Sequence, residues 1–589
     1  MKLKRLAAGA LVGSLAAMSL AGCSLITGDA KPQEGAAAGE SKPFPKSWDE
    51  PLTIDVFDGL ANYMGIQSGW FAKIVKDKFN MELNIIAPNV AGGGDTLYNT
   101  RVAAGELGDL IITDKGEKLD ELIQGGLVMD ASGYYEQMGD AERFDVAVEK
   151  LNEGKDGVYA FPTSVSGIKP TEPSEGLEPT FGPYLRWDYY AELGYPEVDT
   201  LEDLLPILKQ MQDAHPTGDN GQPAYALSLF KDWDGNFMNN AKQPATYYGF
   251  DEMGFVLAQA DGSEFQSILD DDSAYVRSLR FFQKANEMGL VDPESTTQNY
   301  DTMFTKYQNG QVLYSFWPWL GAAAYNTPEH VAEGKGFGMV NMKDQKIFSY
   351  GAEVYGGKQV LAIGSKAEDP ERIAAFIDWL YSPEGAYANG AQTGASAGPE
   401  GLNWEVNADG EPELTEFGLE ALLSGENEVP AEWGGGTYRD GVSALNVPVV
   451  LPADVDPDTG FPYNYTFWPS FQESQQTAFS KDWSEHMDGA TSTMDFLKKN
   501  DQIAVATGGG YTSPPDSSEI ETLRNQVKSQ IVAASWKMSF AKDDAEFDAL
   551  LKGLQETAEG LGYDKVYEFD LDKAKEQDKV RKAVAKEFG

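Results

Sequence analysis

Cysteine occurs once in this chain and histidine three times. One thiol cannot close an internal disulfide. His215, His330 and His486 lie in polar stretches without the spacing of metal ligands. A single Gly-x-Ser-x-Gly string occurs, Gly394-Ala395-Ser396-Ala397-Gly398, but no apolar strand run leads into it as a nucleophile elbow requires. Cations are scarce: 46 Lys and Arg face 93 Asp and Glu, a formal charge of −47. Such a field repels nucleic acid and bare anionic lipid, and it speaks to solubility rather than to chemistry. Beyond residue 22 no run is apolar enough to span a bilayer, which takes about 20 residues.

What is there begins at the N-terminus. Lys2, Lys4 and Arg5 precede an Ala/Leu-rich core and small residues, the three parts of an export signal over 1–22. The stretch ends at Leu20-Ala21-Gly22-Cys23, which resembles a bacterial lipoprotein cleavage site and implies that Cys23 carries lipid. Residues 24–47 hold almost no large apolar side chains, so 23–49 reads as a lipidated cysteine followed by a flexible tether. A secreted protein with a stray thiol is the other reading.

The body is large enough for two lobes. Leu52, Ile54 and Val56 alternate with polar residues as a strand, and Trp70, Ile74, Val75 and Phe79 share a helical face. Met81, Leu83 and Ile85 mark a second strand. Gly94-Asp95 opens a second helix with Asp95 as N-cap, and Asp109–Asp114 forms a buried third strand. This order predicts a parallel sheet with its ligand beyond the carboxyl ends of the strands, at Asn62, Tyr63 and Asp114. The glycines at 92–94 lack the Gly-Lys-Ser/Thr of a phosphate loop. Thr200 with Asp203, and Ser518 with Glu521, predict capped helices. Asp369 with Pro370 predicts another, and Pro206 predicts a kink.

Several stretches in order resemble the extracellular solute-binding proteins of carbohydrate ABC importers, in their large lipoprotein branch. They are Asn99–Leu110, Leu122–Asp130, Asp156–Pro162, Arg186–Gly194 with Thr200–Asp203, Gly289–Pro293, Asp369–Gly385 and Ser535–Ala541. The resemblance implies an α/β, two-lobed periplasmic-binding-protein-like fold with a hinge and C-terminal helices. Its lobes are discontinuous: 50–163 with a return near 307–365, and 164–306 with a return near 366–510, followed by helices over 511–589. It also implies a monomer on the outer face of the cell membrane, held by its lipid anchor, passing an oligosaccharide to ABC permease subunits. No catalytic role and no cofactor are implied. The calcium loop of some relatives is missing, since 215–225 offers only Asp219 as a carboxylate. Asp454–Gly460 fails the EF-hand spacing and reads as an acidic turn.

Sugars present apolar faces and polar rims, so a sugar site combines flat aromatic rings with polar donors and acceptors. The candidates are Trp233, Trp317, Trp319, Trp433 and Tyr438, with Trp468 behind them; each has core packing as its alternative. Arg186 offers fixed donors to sugar hydroxyls or an ion pair with Asp188. A peptide or other polar solute remains the second ligand class. A glycoside-active enzyme, which needs only two carboxylates, and a surface adhesin remain from other classes.

Overall fold

The structure, a computed structural model, describes residues 43–588 apart from 89 and 91–93. The export signal, Cys23 and most of the tether lie outside the described residues. The first sheet is built from β1 (Leu52–Asp58), β2 (Gly65–Ile66), β3 (Met81–Ile86), β4 (Leu110–Asp114), β5 (Phe161–Pro162) and β6 (Gln359–Ile363), in the spatial order β2-β3-β1-β4-β6-β5. As the pattern predicts, β1 pairs in parallel with β3, Leu52 opposite Met81, and with β4, Val56 opposite Leu110. The antiparallel β6 arrives from far along the chain.

Helices α1 (Gly69–Phe79) and α2 (Gly94–Ala104) link the parallel strands. Since α2 starts at Gly94, Asp95 lies within its first turn rather than ahead of it. Ile54 and Val56 face a core with Trp70, Val75 and Phe376. Phe57, one residue on, faces the opposite side with Ile111 and Leu119. Both faces are covered, as a parallel sheet requires.

A second core gathers Leu185, Trp187, Leu208, Tyr247, Phe282, Tyr314 and Phe348. Most of both expected returns is overturned, although Gln359–Ile363 does join the first sheet and Trp483 to Ala506 do pack in the second core. Tyr307, Leu313 and Phe337 pack in the second core, whereas Ile373, Trp404, Tyr438 and Trp468 pack in the first. The physical reason is strand pairing: Tyr314–Ser315 and Phe337–Met339 flank Tyr184–Arg186, while β6 completes the first sheet. The chain passes between the cores near 166–180, 349–359 and 472–478.

Two of these passages are tied together. Gly351 N–H donates to the Ala506 carbonyl at 2.8 Å, Gly508 N–H to Pro170 at 2.9 Å, and Ala352 N–H to Glu172 at 3.0 Å. A Cβ on Gly351 would overlap the Pro170 carbonyl oxygen, and one on Gly508 that of Ala352. Glycine is required at both by close approach of backbone.

The C-terminal helices α3 (Ser518–Ser539), α4 (Asp544–Gly560) and α5 (Tyr563–Phe588) extend the second core through Val527, Ile531, Phe547, Leu554 and Val566. The cap of α3 is Ser517, one residue before the expected Ser518. Arg524 joins α3 to α5 by a bidentate pair with buried Asp570, 2.7 Å on both arms. Phe588 meets Tyr355, beside the passage near 349–359, with ring centroids 6.1 Å apart. Thr200 and Asp203 form the expected capping box and Asp369 caps its helix. Pro206 falls in the first turn of Leu204–Ala214, where its missing N–H removes no helix bond, so no kink is needed.

Candidate functional site

The carboxyl ends of β1 and β4 open onto a cavity of about 190 Å³ lined by Phe57, Leu60, Tyr98, Thr113, Asp114, Lys118, Lys358 and Gln359. Asp114 is oriented from both sides: Lys358 Nζ lies 3.0 Å from Oδ2, and Gln359 Nε2 donates to Oδ1 at 3.2 Å. Asn62 and Tyr63 are exposed on the loop after β1, and the Tyr63 hydroxyl donates to the Ile66 carbonyl. Sequence reasoning missed Tyr98, Lys118, Lys358 and Gln359. The last two enter with β6, whose antiparallel pairing to β4 leaves no local signal.

Beside this mouth, Asp58 is fully buried at the end of β1. Its Oδ1 accepts from Leu60 N–H at 2.8 Å and its Oδ2 has no hydrogen-bond partner. Burial pushes the carboxyl up to about 7, against the opposing pull of the Leu60 and Ala61 backbone N–H groups.

The second core carries an aromatic surface. Trp233 and Trp319 are 44% and 41% exposed, with ring centroids 5.6 Å apart. Trp317 lies beneath at 3% exposure, stacked on Trp319 at 4.9 Å, its Nε1–H donating to Gln243 Oε1 at 3.2 Å. Tyr300 also stacks on Trp233, at 4.9 Å. Pro318 at the first position of helix Pro318–Tyr325 turns the chain between the two tryptophans, and the Ser315 hydroxyl accepts the Trp317 and Gly321 N–H groups. On the loop 231–235, Asp234 accepts from Asn239 N–H at 2.9 Å and from Trp536 Nε1–H at 2.7 Å, which holds Trp233 outward. Three of the predicted tryptophans therefore meet, two as surface and Trp317 as floor.

The remaining candidates are elsewhere. Arg186, 1% exposed, donates to Asp188 through Nε at 3.0 Å and Nη2 at 2.7 Å. Its guanidinium lies between the rings of Tyr189 and Tyr325, at 4.1 and 4.0 Å. The ion pair, and not the sugar-donor reading, describes both Arg186 and Asp188, because a buried cation needs its counter-charge. Tyr438 is 3% exposed, stacks on Trp70 at 5.4 Å and accepts from Asn403 Nδ2 at 2.8 Å. Trp433 is half-buried against the same core and Trp468 is fully buried. These are core positions of the first lobe.

Each histidine stacks on a tyrosine: His215 on Tyr189, His330 on Tyr325, and His486 on Tyr195. Among the described residues no group of three or more His, Cys, Asp or Glu could hold a metal ion. Asp456 spends its carboxylate on Asp458 N–H and the Thr459 hydroxyl within its own turn, both at 2.9 Å.

No family model and no curated protein matches the chain. Among solved structures it is similar to an HMO-binding ABC-transporter-associated solute-binding protein of Bifidobacterium longum infantis. That match has 15% identity and TM-score 0.53, covering 89% of this chain and 99% of the other. It is also similar to the ABC-transporter substrate-binding protein FusA of S. pneumoniae in complex with kestose, at 13% identity and TM-score 0.51, covering 90% of this chain and all of the other. The chain has the two-lobed α/β fold of solute-binding proteins. Among the described residues no helix is long and apolar enough to cross a membrane.

Proposed function

We propose that this protein is an extracytoplasmic solute-binding protein that captures an oligosaccharide and delivers it to an ABC importer. The observation that carries the reading is the pair of exposed indoles, Trp233 and Trp319, seated on buried Trp317. Flat rings with a wet rim suit the C–H faces of successive sugar units. Asp114, with its orienting Lys358 and Gln359, and the exposed Asn62 and Tyr63 supply hydroxyl partners from the first lobe. The two similar structures, one of an HMO-binding protein and one of a protein in complex with kestose, support an oligosaccharide as the solute class.

In this reading the ligand contacts both lobes only when they close, and so favours closure about the glycine-packed passages. The working form is a monomer, lipidated at Cys23 and held at the outer face of the cell membrane, presenting its cargo to permease subunits. No catalytic step and no metal or cofactor enters.

The test is a calorimetric glycan screen on wild type and on Trp233→Ala with Trp319→Ala. Each substitution should weaken the cognate sugar by about 1–3 kcal/mol, the scale of a buried aromatic contact, with the fold retained. Unchanged affinity would remove the indoles from the site. Binding of peptides but of no glycan would move the ligand class, and hydrolysis of the bound glycan would make the protein an enzyme. For anchoring, Cys23→Ala should release the protein from membranes or leave it unprocessed; a variant still lipid-labelled would refute the anchor.

A further inference from the structure

Helix α3 has two apolar faces. Val527, Ile531 and Met538 are buried in the second core. Val532, Trp536 and Phe540, spaced four residues apart, pack at the edge of that core, Trp536 only 6% exposed, and line an open groove of about 700 Å³ against the loop 231–235. The groove is shaped before anything enters it. Trp536 is fixed by its Nε1–H bond to Asp234 Oδ2 at 2.7 Å, and its ring runs nearly parallel to Phe540, at 16° and 6.4 Å. The rim is cationic: Lys231, Lys528 and Lys537 border it, with Lys231 Nζ 4.9 Å from the Trp536 ring. None of the three forms an ion pair within 4 Å among the described residues, although Lys231 lies near enough to Asp234 to favour its charged form, in a chain where acids outnumber cations by 93 to 46. Asp234, the acid in the lining, is occupied by Trp536 and Asn239.

We propose that this groove is a second binding site, for a small amphipathic acid. The occupant has a flat or alicyclic apolar body lying along Trp536 and Phe540, and one or two carboxylate or sulfonate groups held by Lys231, Lys528 and Lys537. Its volume falls within the roughly 300–1,000 Å³ of small-molecule sites, and three ammonium groups, two of them with no acid beside them, around an apolar floor select a negative charge by complementarity. A highly acidic macromolecule, or a second copy of this chain, would meet the long-range repulsion of a net charge of −47; a small acid largely escapes it. The site is distinct from the indole surface. The loop 231–235 presents Trp233 to one and Lys231 with Asp234 to the other.

Calorimetry of the full-length protein at low ionic strength, with 2-naphthoate and its neutral amide as probes, tests the assignment. One saturable site is expected, with the amide at least tenfold weaker. Lys528→Gln combined with Lys537→Gln should cost the acid at least tenfold and leave the amide alone. Ala533→Trp, which fills the exposed groove, should abolish binding of both. Circular dichroism checks each fold, and the lysine pair, being at the surface, serves if Ala533→Trp is misfolded. Equal affinity for acid and amide, indifference to the lysines, no binding at millimolar probe, or loss of binding in Trp233→Ala would overturn the site. Tighter binding of an acidic peptide, or a dimer in sedimentation that Lys537→Glu dissociates, would replace the small acid by another occupant and overturn it as stated. The glycan screen on the same samples reads the sugar site independently.

Discussion

Two loops of this protein look alike as sequence and do opposite things. Trp433 to Arg439 and Lys231 to Gly235 each set an indole among glycine and polar residues. In the first, Tyr438 turns inward, 3% exposed, and its backbone carbonyl accepts the Trp70 Nε1–H at 3.0 Å. Gly434 and Gly441 allow this: a Cβ on Gly434 would sit 3.0 Å from the Gly69 carbonyl oxygen, and one on Gly441 2.9 Å from Trp70 N. In the second, Asp234 anchors the turn and leaves Trp233 44% exposed. An aromatic beside glycines is a packing device when another segment comes close enough to need the missing Cβ, and a surface device when none does.

The comparison breaks first on stability. Tyr438→Ala should cost about 3–5 kcal/mol in urea unfolding, as a large-to-small core change, with the surviving folded fraction binding sugar normally. A stable variant without affinity would return Tyr438 to the site. Arg186→Ala should cost about 3 kcal/mol by leaving half-buried Asp188 without its cation and an empty space between Tyr189 and Tyr325; a loss confined to affinity would restore the sugar-donor reading.

Trp317 sharpens it. As the floor beneath Trp319 it should lose both stability and affinity on substitution by Ala, whereas Trp233→Ala should lose affinity by about 1–3 kcal/mol and stability by about 1 kcal/mol or less. Identical profiles for the two would erase the distinction between floor and surface.

The remaining effect is in pH. Asp58 and Asp378, both of the first lobe, are pushed by burial from 3.8 to about 7. A carboxyl whose folded pKa lies above its unfolded value holds its proton more tightly when folded. Its contribution is therefore complete below the unfolded value and is lost as pH rises toward about 7. Each group should give a slope of up to about 1.4 kcal/mol per pH unit across that window, and Asp58→Asn should remove one of the two. Unfolding curves of wild type and Asp58→Asn that stay parallel from pH 4 to 7 would refute the protonated Asp58.

Local pattern carried much of the architecture. Alternation in Leu52–Asp58 and Met81–Ile86, caps at Thr200 and Asp369, and the buried faces of α1 and α3 are properties of neighbours in sequence, set by strand and helix period. The indoles Trp233 and Trp319 were legible because a turn held by Asp and Gly, or a break at Pro318, seldom hides a ring. The return segments, Arg186 and Tyr438 were not legible. Tyr184–Arg186 pairs with strands more than a hundred residues away, and β6 joins the first sheet from beyond the second core. Alternation reports that a residue is buried but not against which partner, and a cation beside an acid reads the same in a cleft or in a core. Periodicity and capping, which act over a few residues, are decided by the chain itself. Which lobe a segment joins and which aromatic stays wet depend on long-range pairing and on close approach of backbone, and only the folded molecule sets those.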